Sequence, residues 1–464
     1  MRTKHTSDNN GIQLHAGKTI VLITPYTGSN LGDAAIQNAV IDNIKVRQPL
    51  VHLRGITLRP ETTEKLHGIE CFPLISADFT RYRKHAIKME NTGTSPAISK
   101  NYSFLTSRYI RFFVKAGLYL PRAGYHALVI LHNEVKHIFG GYEFVKNTDQ
   151  VVFSGGGQLD DHWGGPWHHP YTILKWAILA RIAGARLVFL SVGADHLNSV
   201  LTRFFIKRAL SLAHYRSYRD EETRTRVVSM GIHDKDRVYP DLAYSLLMTT
   251  QDNARLSGNE QRRVVVGISP IGAPAWTTNG SELFDTYMNN LTSLVSWLLS
   301  AGYSVRFFPS QTSDDPPLIE EIKSRLVTSG AHHDKEQIIS EPVQDVGDLL
   351  QQISMTDIVV ASRFHSVLLA VYLCKPVLAL SYRSKVNSLM DDADLRQYCL
   401  DINNVRIEDM KKLVLSLFEN SDAISKNLST RVNTYIQSLN EQYDKVFGRI
   451  SNPDETRTES TRSG

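Results

Sequence analysis

The chain alternates short apolar runs with longer amphipathic segments, and that rhythm predicts its elements. Thr19–Thr24 (TIVLIT) has the length of a buried strand and precedes a Gly-rich turn and a helix over about 33–45. Val51–Leu58 reads as a second strand. The pattern continues with strand 150–153, helix 171–183, strand 186–192, helix 200–212, strand 214–218 and helix 220–230. Polar residues 249–262 interrupt it and predict a linker. It restarts with strand 263–269, helix 282–300, strand 303–308, helix 318–328 and strand 337–340. Helix 346–354, strand 357–361, helix 366–373 and strand 376–381 follow, and a long helical segment covers about 407–447. Strand, crossover helix, strand at this spacing predicts parallel sheets covered on both faces.

The fold class expected is therefore α/β, with two Rossmann-like domains facing across a cleft. The first spans 19–248, with an insertion over about 78–147, and the second spans 263–450. Polar tails are expected at 1–18 and 451–464. In open α/β sheets, ligands bind beyond the carboxyl ends of the strands, so the residues just after each strand are the candidates for chemistry.

Composition changes this picture little. Hydrophobic residues make up 42% and charged residues 21%, as in ordinary globular proteins and unlike disordered ones. No apolar run is long enough for a transmembrane helix, and residues 1–18 lack the apolar core of a secretory signal. Cys71, Cys374 and Cys399 form no closely spaced pair, which argues against a disulfide scaffold and fits a cytoplasmic setting. Charge is more informative. Residues 81–147 hold eleven Lys and Arg against three Asp and Glu, interleaved with aromatic residues. That segment reads as a basic helical insertion whose aromatic side chains face the core. It also makes peripheral contact with the inner face of a membrane an expectation. No nucleic-acid-binding motif accompanies it, so no nucleic acid partner is expected.

Four strand-end segments carry candidate chemistry. Gly28-Ser29-Asn30-Leu31-Gly32-Asp33 follows the first strand, where glycines and a helix N-terminus suit an anion or polar group. Asp33 reads equally as a helix N-cap. The spacing is not that of a dinucleotide fingerprint. Ser154-Gly155-Gly156-Gly157 leads into Asp160, Asp161 and His162, a polar loop suited to hydrogen bonding a sugar or phosphate. Its Asp and His residues lack the helical spacing of a metal site, so no metal is expected. Arg219 sits between a strand end and a helix start, as an anion fork or as a salt-bridge partner of Asp220 or Glu222. Arg363 and His365 lie two apart at another strand end, an anion clamp with a titratable neighbour. Lys385 lies beyond the strand 376–381.

In their order, these segments resemble the polysaccharide pyruvyl transferase family: GSNLGDAAI, then VVFSGGGQLDD, then SYRDEET with Pro240-Asp241, then SRFHSVLLAVYLCKPVLALSYRSK. The resemblance covers about 19–45, 149–245 and 263–400, and nothing in it matches the 81–147 insertion. It implies a GT-B-like pair of domains and transfer of a pyruvyl group from phosphoenolpyruvate to a saccharide or lipid-linked saccharide of a cell-surface glycan. A pyruvate ketal and free phosphate would result, with no cofactor besides the donor substrate. By matching motifs it implies that Arg219, Arg363, His365 and Lys385 bind phosphoenolpyruvate, with His365 catalytic. Asn30, Asp33, Gly155, Gly156, Gly157, Asp160, Asp161 and His162 become loop or acceptor contacts. A protonated His365 would serve as general acid at the vinyl carbon, and the base for the sugar hydroxyl would come from Asp160, Asp161 or His162. The alternative is a GT-B glycosyltransferase that takes a nucleotide sugar. Against it, no acidic residue is placed to hold a ribose in the second domain.

Overall fold

The computed structural model describes residues 17–26, 28–76, 122–161, 164–195, 197, 199–247, 263–272, 281–328 and 334–449. His162, the expected linker and most of the expected tails and insertion lie outside these residues.

Two parallel sheets organise the chain. The first contains β1 (Thr19–Ile23), β2 (His52–Thr57), β3 (Glu70–Pro73), β4 (Gln150–Ser154), β5 (Arg186–Val192), β6 (Tyr215–Tyr218) and β7 (Arg237–Val238). Its order is β3-β2-β1-β4-β5-β6-β7. The second contains β8 (Val265–Ser269), β9 (Ser304–Phe307), β10 (Ile338–Ile339), β11 (Ile358–Ala361), β12 (Val377–Ser381) and β13 (Cys399–Asp401), in the order β10-β9-β8-β11-β12-β13. Each sheet thus reverses direction once, between β1 and β4 and between β8 and β11. At such a switch point the loops on either side diverge and leave a crevice.

Strand side chains alternate between two buried faces. Ile20, Leu22, Val152, Val188 and Leu190 face one layer, and Val21, Ile23, Val151, Phe153, Leu187 and Phe189 face the other. The second layer is built from α3 (Arg122–Val145), α4 (His169–Ile182), α5 (Val200–Ser211) and α6 (Glu221–Ser229), which follow α1 (Leu31–Arg47) and α2 (Pro60–His67) in the chain. The described part of the expected insertion is α3. The first layer belongs to α1, whose core is continuous with that of the second half. That position explains why α1 buries twelve of its seventeen residues: it has protein on both sides.

Around the second sheet lie α7 (Ser281–Ser300), α8 (Asp315–Thr328), α9 (Val346–Ser354), α10 (Phe364–Tyr372), α11 (Ser384–Asp392), α12 (Ile407–Glu419) and α13 (Ser421–Phe447). The long helix expected over 407–447 is two, broken at Asn420. The end of α13 returns to the first half. Arg47 Nε donates to Asp444 at 2.8 Å, Arg186 to the Val446 carbonyl at 2.9 Å, and Gln442 Nε2 to Ser217 Oγ at 2.6 Å. At the mouth of the cleft the Leu31 amide donates to the Ser310 carbonyl at 3.0 Å, and the Thr312 amide to the Ser29 carbonyl at 2.9 Å. The two halves are therefore joined at the hinge side and across the cleft edge.

Arg47 carries the hinge-side joint: its side chain is 1% exposed and also donates to Asn43 and Asn440. Arg47→Ala leaves those acceptors without their partner and is expected to lower stability by about 2–3 kcal/mol. Urea denaturation measures it; a loss under about 0.5 kcal/mol would show that α13 docks by apolar contact alone.

Candidate active site

The two switch points face each other across a cleft with a cavity volume of about 150 Å³. From the first half it is lined by Thr24, Asn30 and Asp33 after β1, the Ser154–Gly157 turn and Asp160 after β4, Asp195 after β5 and Arg219 after β6. From the second half come Ser310 after β9, Arg363, Phe364 and His365 after β11, and Tyr382, Arg383 and Lys385 after β12.

Local sequence explains each placement. Asn30 Oδ1 accepts the Gly32 amide at 3.0 Å and the Asp33 amide at 3.4 Å, so Asn30 caps α1. Asp33 is therefore not the cap; it sits in the first turn, and its carboxyl lines the cleft. In the turn after β4, Gly155 and Gly156 have φ of +56° and +68°, a region side chains rarely enter. A Cβ on Gly155 would also lie 2.9 Å from Ile36 and Leu242.

Asp161 does not join the cleft. Its carboxylate accepts from Thr202 Oγ1 at 2.9 Å and the Ser199 amide at 3.4 Å, which fixes the start of α5. This departs from the expectation that it contacts the ligand or serves as base: its Oδ2 is engaged at the start of α5, and Asp161 is not among the residues that line the cleft.

The two arginines differ in how they are held. Asp315, fully buried, grips Arg363 with Nε at 2.9 and 3.0 Å and Nη2 at 2.5 Å from its oxygens. Asp315 in turn accepts the Ser310 and Gln311 amides at 3.0 and 2.8 Å. Arg219 is held more loosely: Asp220 lies 3.4 Å from Nε and Asp241 lies 3.6 Å from Nη1. The 3.6 Å contact is an ion pair rather than a hydrogen bond, which leaves Nη1 able to donate to a ligand. Gly193 makes room for this guanidinium; a Cβ there would lie 2.7 Å from Nη2. Glu222, the other expected partner of Arg219, pairs with Arg226 instead.

Between the halves, the Phe364 ring lies 5.0 Å from Arg219 Cζ and 5.6 Å from Lys385 Nζ, so the cations share one aromatic face region. Asp195 lies 3.7 Å from Lys385 and 3.8 Å from Arg383.

His365 sits against the backbone of α1. A Cβ on Gly32 would fall 1.9 Å from its Nδ1 and 2.0 Å from its Cγ. Its Nε2 is buried and has no hydrogen-bond partner among the described residues. Burial pushes its pKa down to about 4; Asp241 opposes this, and Lys385 and Arg219 reinforce it. The expected protonated imidazole is therefore neutral near pH 7 until a ligand brings negative charge. Asp33 moves the other way. Burial raises its pKa to about 6, with Asp241 adding to the rise and Lys385 and Arg219 opposing it.

Sequence reasoning brought Asn30, Asp33, Gly155, Gly156, Gly157, Asp160, Arg219, Arg363, His365 and Lys385 to the cleft. It missed Gly193, Asp195, Asp315 and Phe364 as parts of it. Asp315 stands before Pro316-Pro317 and reads as a helix start; only the fold reveals that its carboxylate points at Arg363. Among the described residues, no group of three His, Cys, Asp or Glu side chains is placed to hold a metal ion.

Comparison with known proteins bears on the fold and the family of the chain. No curated protein matches the chain. Among solved structures, S. aureus MnaA with UDP has a TM-score of 0.50 at 11% identity, over 94% of this chain and 99% of that one. The UDP-GlcNAc 2-epimerase of Methanocaldococcus jannaschii has a TM-score of 0.50 at 11% identity, over 86% of this chain and 91% of that one. At such identities these likenesses bear on the fold, a GT-B-like pair of domains. A family model described as polysaccharide pyruvyl transferase matches residues 30–384, a span that takes in the described cleft residues from Asn30 to Arg383 and stops one short of Lys385. The chain belongs to the polysaccharide pyruvyl transferase family.

Proposed function

We propose that the cleft binds phosphoenolpyruvate and transfers its pyruvyl group to two hydroxyls of a saccharide, releasing phosphate. One observation carries this reading: four cations, Arg219, Arg363, Arg383 and Lys385, converge from both halves on one small cavity that also holds His365 and Asp33. Phosphoenolpyruvate presents a carboxylate and a phosphate on three carbons, so it needs cationic partners on two sides. A rigid Arg363 from the second half and a loosely held Arg219 from the first supply them.

The reaction adds a proton to the vinyl CH2 carbon, which leaves an oxocarbenium-like centre at the neighbouring carbon. One sugar hydroxyl attacks that centre and loses its proton. The second hydroxyl then displaces phosphate and loses its proton, closing the ketal. One proton is taken up and two are released, one of which departs with the phosphate. His365 supplies the first proton: the dianionic phosphate bound beside it raises its pKa, and the unpartnered Nε2 is the atom that would carry the proton. Asp33 is the base. Its pKa of about 6 leaves it ionised at neutral pH yet more basic than an ordinary carboxylate. Asp33 thus takes the role expected of Asp160, Asp161 or His162, while Asp160 and Gly155–Gly157 line the cleft as contacts for the acceptor.

Phosphate release from phosphoenolpyruvate, measured over glycosides with neighbouring free hydroxyls, tests the reading; release dependent on a nucleotide sugar instead would overturn it. Asp33→Asn should lower kcat by about a hundredfold or more. It should also remove the acidic limb of kcat, read with phosphoenolpyruvate bound and His365 charged, which in the wild type falls as Asp33 takes up its proton. An acidic limb that survives in Asp33→Asn would assign the base elsewhere.

Gly32→Ala probes His365 without touching it. The added methyl would lie 1.9 Å from His365 Nδ1 and 2.4 Å from its Cβ, so the imidazole and the start of α10 must shift away from α1. Turnover should fall about tenfold or more, with some loss of melting temperature from the displaced contact between α1 and α10. Unchanged turnover would remove His365 from the mechanism.

A further inference from the structure

We propose that the outer face of α3, α4 and α5 docks the protein onto an anionic lipid surface. These helices lie side by side and turn their buried stripes to the first sheet, through Phe144 and Val145 of α3, Ile173 and Trp176 of α4, and Ile206 and Leu210 of α5. Their opposite faces are apolar as well. Leu128, Leu131, Val135 and Phe139 recur at helical spacing along α3 and are 52, 59, 42 and 68% exposed. Ile178 and Ile182 continue the face on α4, and Val200 and Phe204 on α5. A surface helix ordinarily has one apolar stripe, and a second, outward one marks an interaction surface.

Charge selects the occupant. Exposed Lys136, Arg181, Arg203, Lys207 and Arg208 are interleaved with those side chains. Neither α4 nor α5 contains an acidic residue. On α3, Glu134 is buried against Lys175 at 2.7 Å, and Glu143, at the far end, lies 3.5 Å from Lys146. Among the described residues, α3, α4 and α5 offer these exposed cations no carboxylate that is not already paired, and Glu221 and Glu222 of the neighbouring α6 pair with its own Arg224 and Arg226. A second copy of the chain, paired through the same face, would set these cations against their equivalents. An anionic bilayer satisfies both halves of the pattern: apolar side chains enter the headgroup boundary, and lysines and arginines extend to the phosphates. Arg208 already lies over the Phe204 ring at 5.4 Å, a cation and an aromatic presented together.

The layer is also rigid. Lys175 and Tyr171 of α4 donate to Glu134 of α3 at 2.7 and 3.0 Å, and His137 reaches the Pro73 carbonyl at 2.8 Å. No residue of this face lines the cleft, so lipid binding and pyruvyl transfer can fail separately.

Co-sedimentation of the full chain with vesicles of phosphatidylcholine containing about 30% phosphatidylglycerol tests the proposal. The protein should pellet with these vesicles, stay in solution with pure phosphatidylcholine, and be largely released by about 0.5 M NaCl. The triple variant Arg203→Glu, Lys207→Glu, Arg208→Glu should weaken partitioning by about tenfold or more, and Phe139→Ser with Phe204→Ser should do likewise, with melting temperature and turnover unchanged. Failure of the wild type to pellet with the anionic vesicles would overturn the proposal, as would equal binding by the charge-reversed variant or indifference to salt. So would a dimer in light scattering that Phe139→Ser dissociates, which would assign the face to a second copy.

Discussion

Four cationic side chains share one small cleft, and they repel one another unless negative charge lies among them. Carboxylates do this work, Asp315 and Asp241 from buried positions behind the walls and Asp195 from the wall itself. Asp315 fixes Arg363, Asp241 and Asp220 hold Arg219, and Asp195 faces Arg383 and Lys385. The carboxylates sit to the side of or beneath the cations, so the attraction that keeps the site folded also aims positive charge inward. The same arrangement sets the titration of the groups between: His365 is held neutral, and Asp33 is held near the pH at which it can exchange a proton. Removal from water makes both effects larger than they would be at the surface.

The fold makes this possible by repetition. Both sheets share one strand order, and both place their divergent loops at the carboxyl end of the central strands. Facing two such sheets gives a cleft with a helix N-terminus on each side, α1 with Asp33 in one and α10 with His365 in the other. Contact across the cleft is close: His365 of the second half rests on Gly32 of the first. The return of α13 to the first sheet fixes how the halves face each other, so the geometry of the site depends on residues such as Arg47, on the far side of α1 from the cleft.

Much of this was legible in the sequence because buried parallel strands are continuous apolar runs. TIVLI, QVVFS, RLVFLSV, IVVA and VLALS announce themselves, and the residues after them proved to line the cleft. Shorter elements were not visible. β3 (ECFP) and β13 (CLD) lie at sheet edges with mixed burial, and α2 (PETTEKLH) buries only Thr63. Within the site, motif reading found groups that line the cleft but not those that orient them. Asp315 and Gly193 act through a partner distant in sequence, and spacing carries no trace of such a partner. Asp161 illustrates the converse: adjacent to Asp160 in a polar loop, it binds Thr202 Oγ1 and the amide of Ser199, the residue that caps α5.

The central claim is that this cationic cleft is a phosphoenolpyruvate site bridged by arginines of both halves. Titration calorimetry of phosphoenolpyruvate into the protein, with UDP in parallel and Arg219→Gln as the comparison, tests it most directly. The account predicts one phosphoenolpyruvate per chain, affinity weakened by about tenfold or more in Arg219→Gln, and no competition from UDP. Absence of phosphoenolpyruvate binding, or its displacement by UDP, would contradict it.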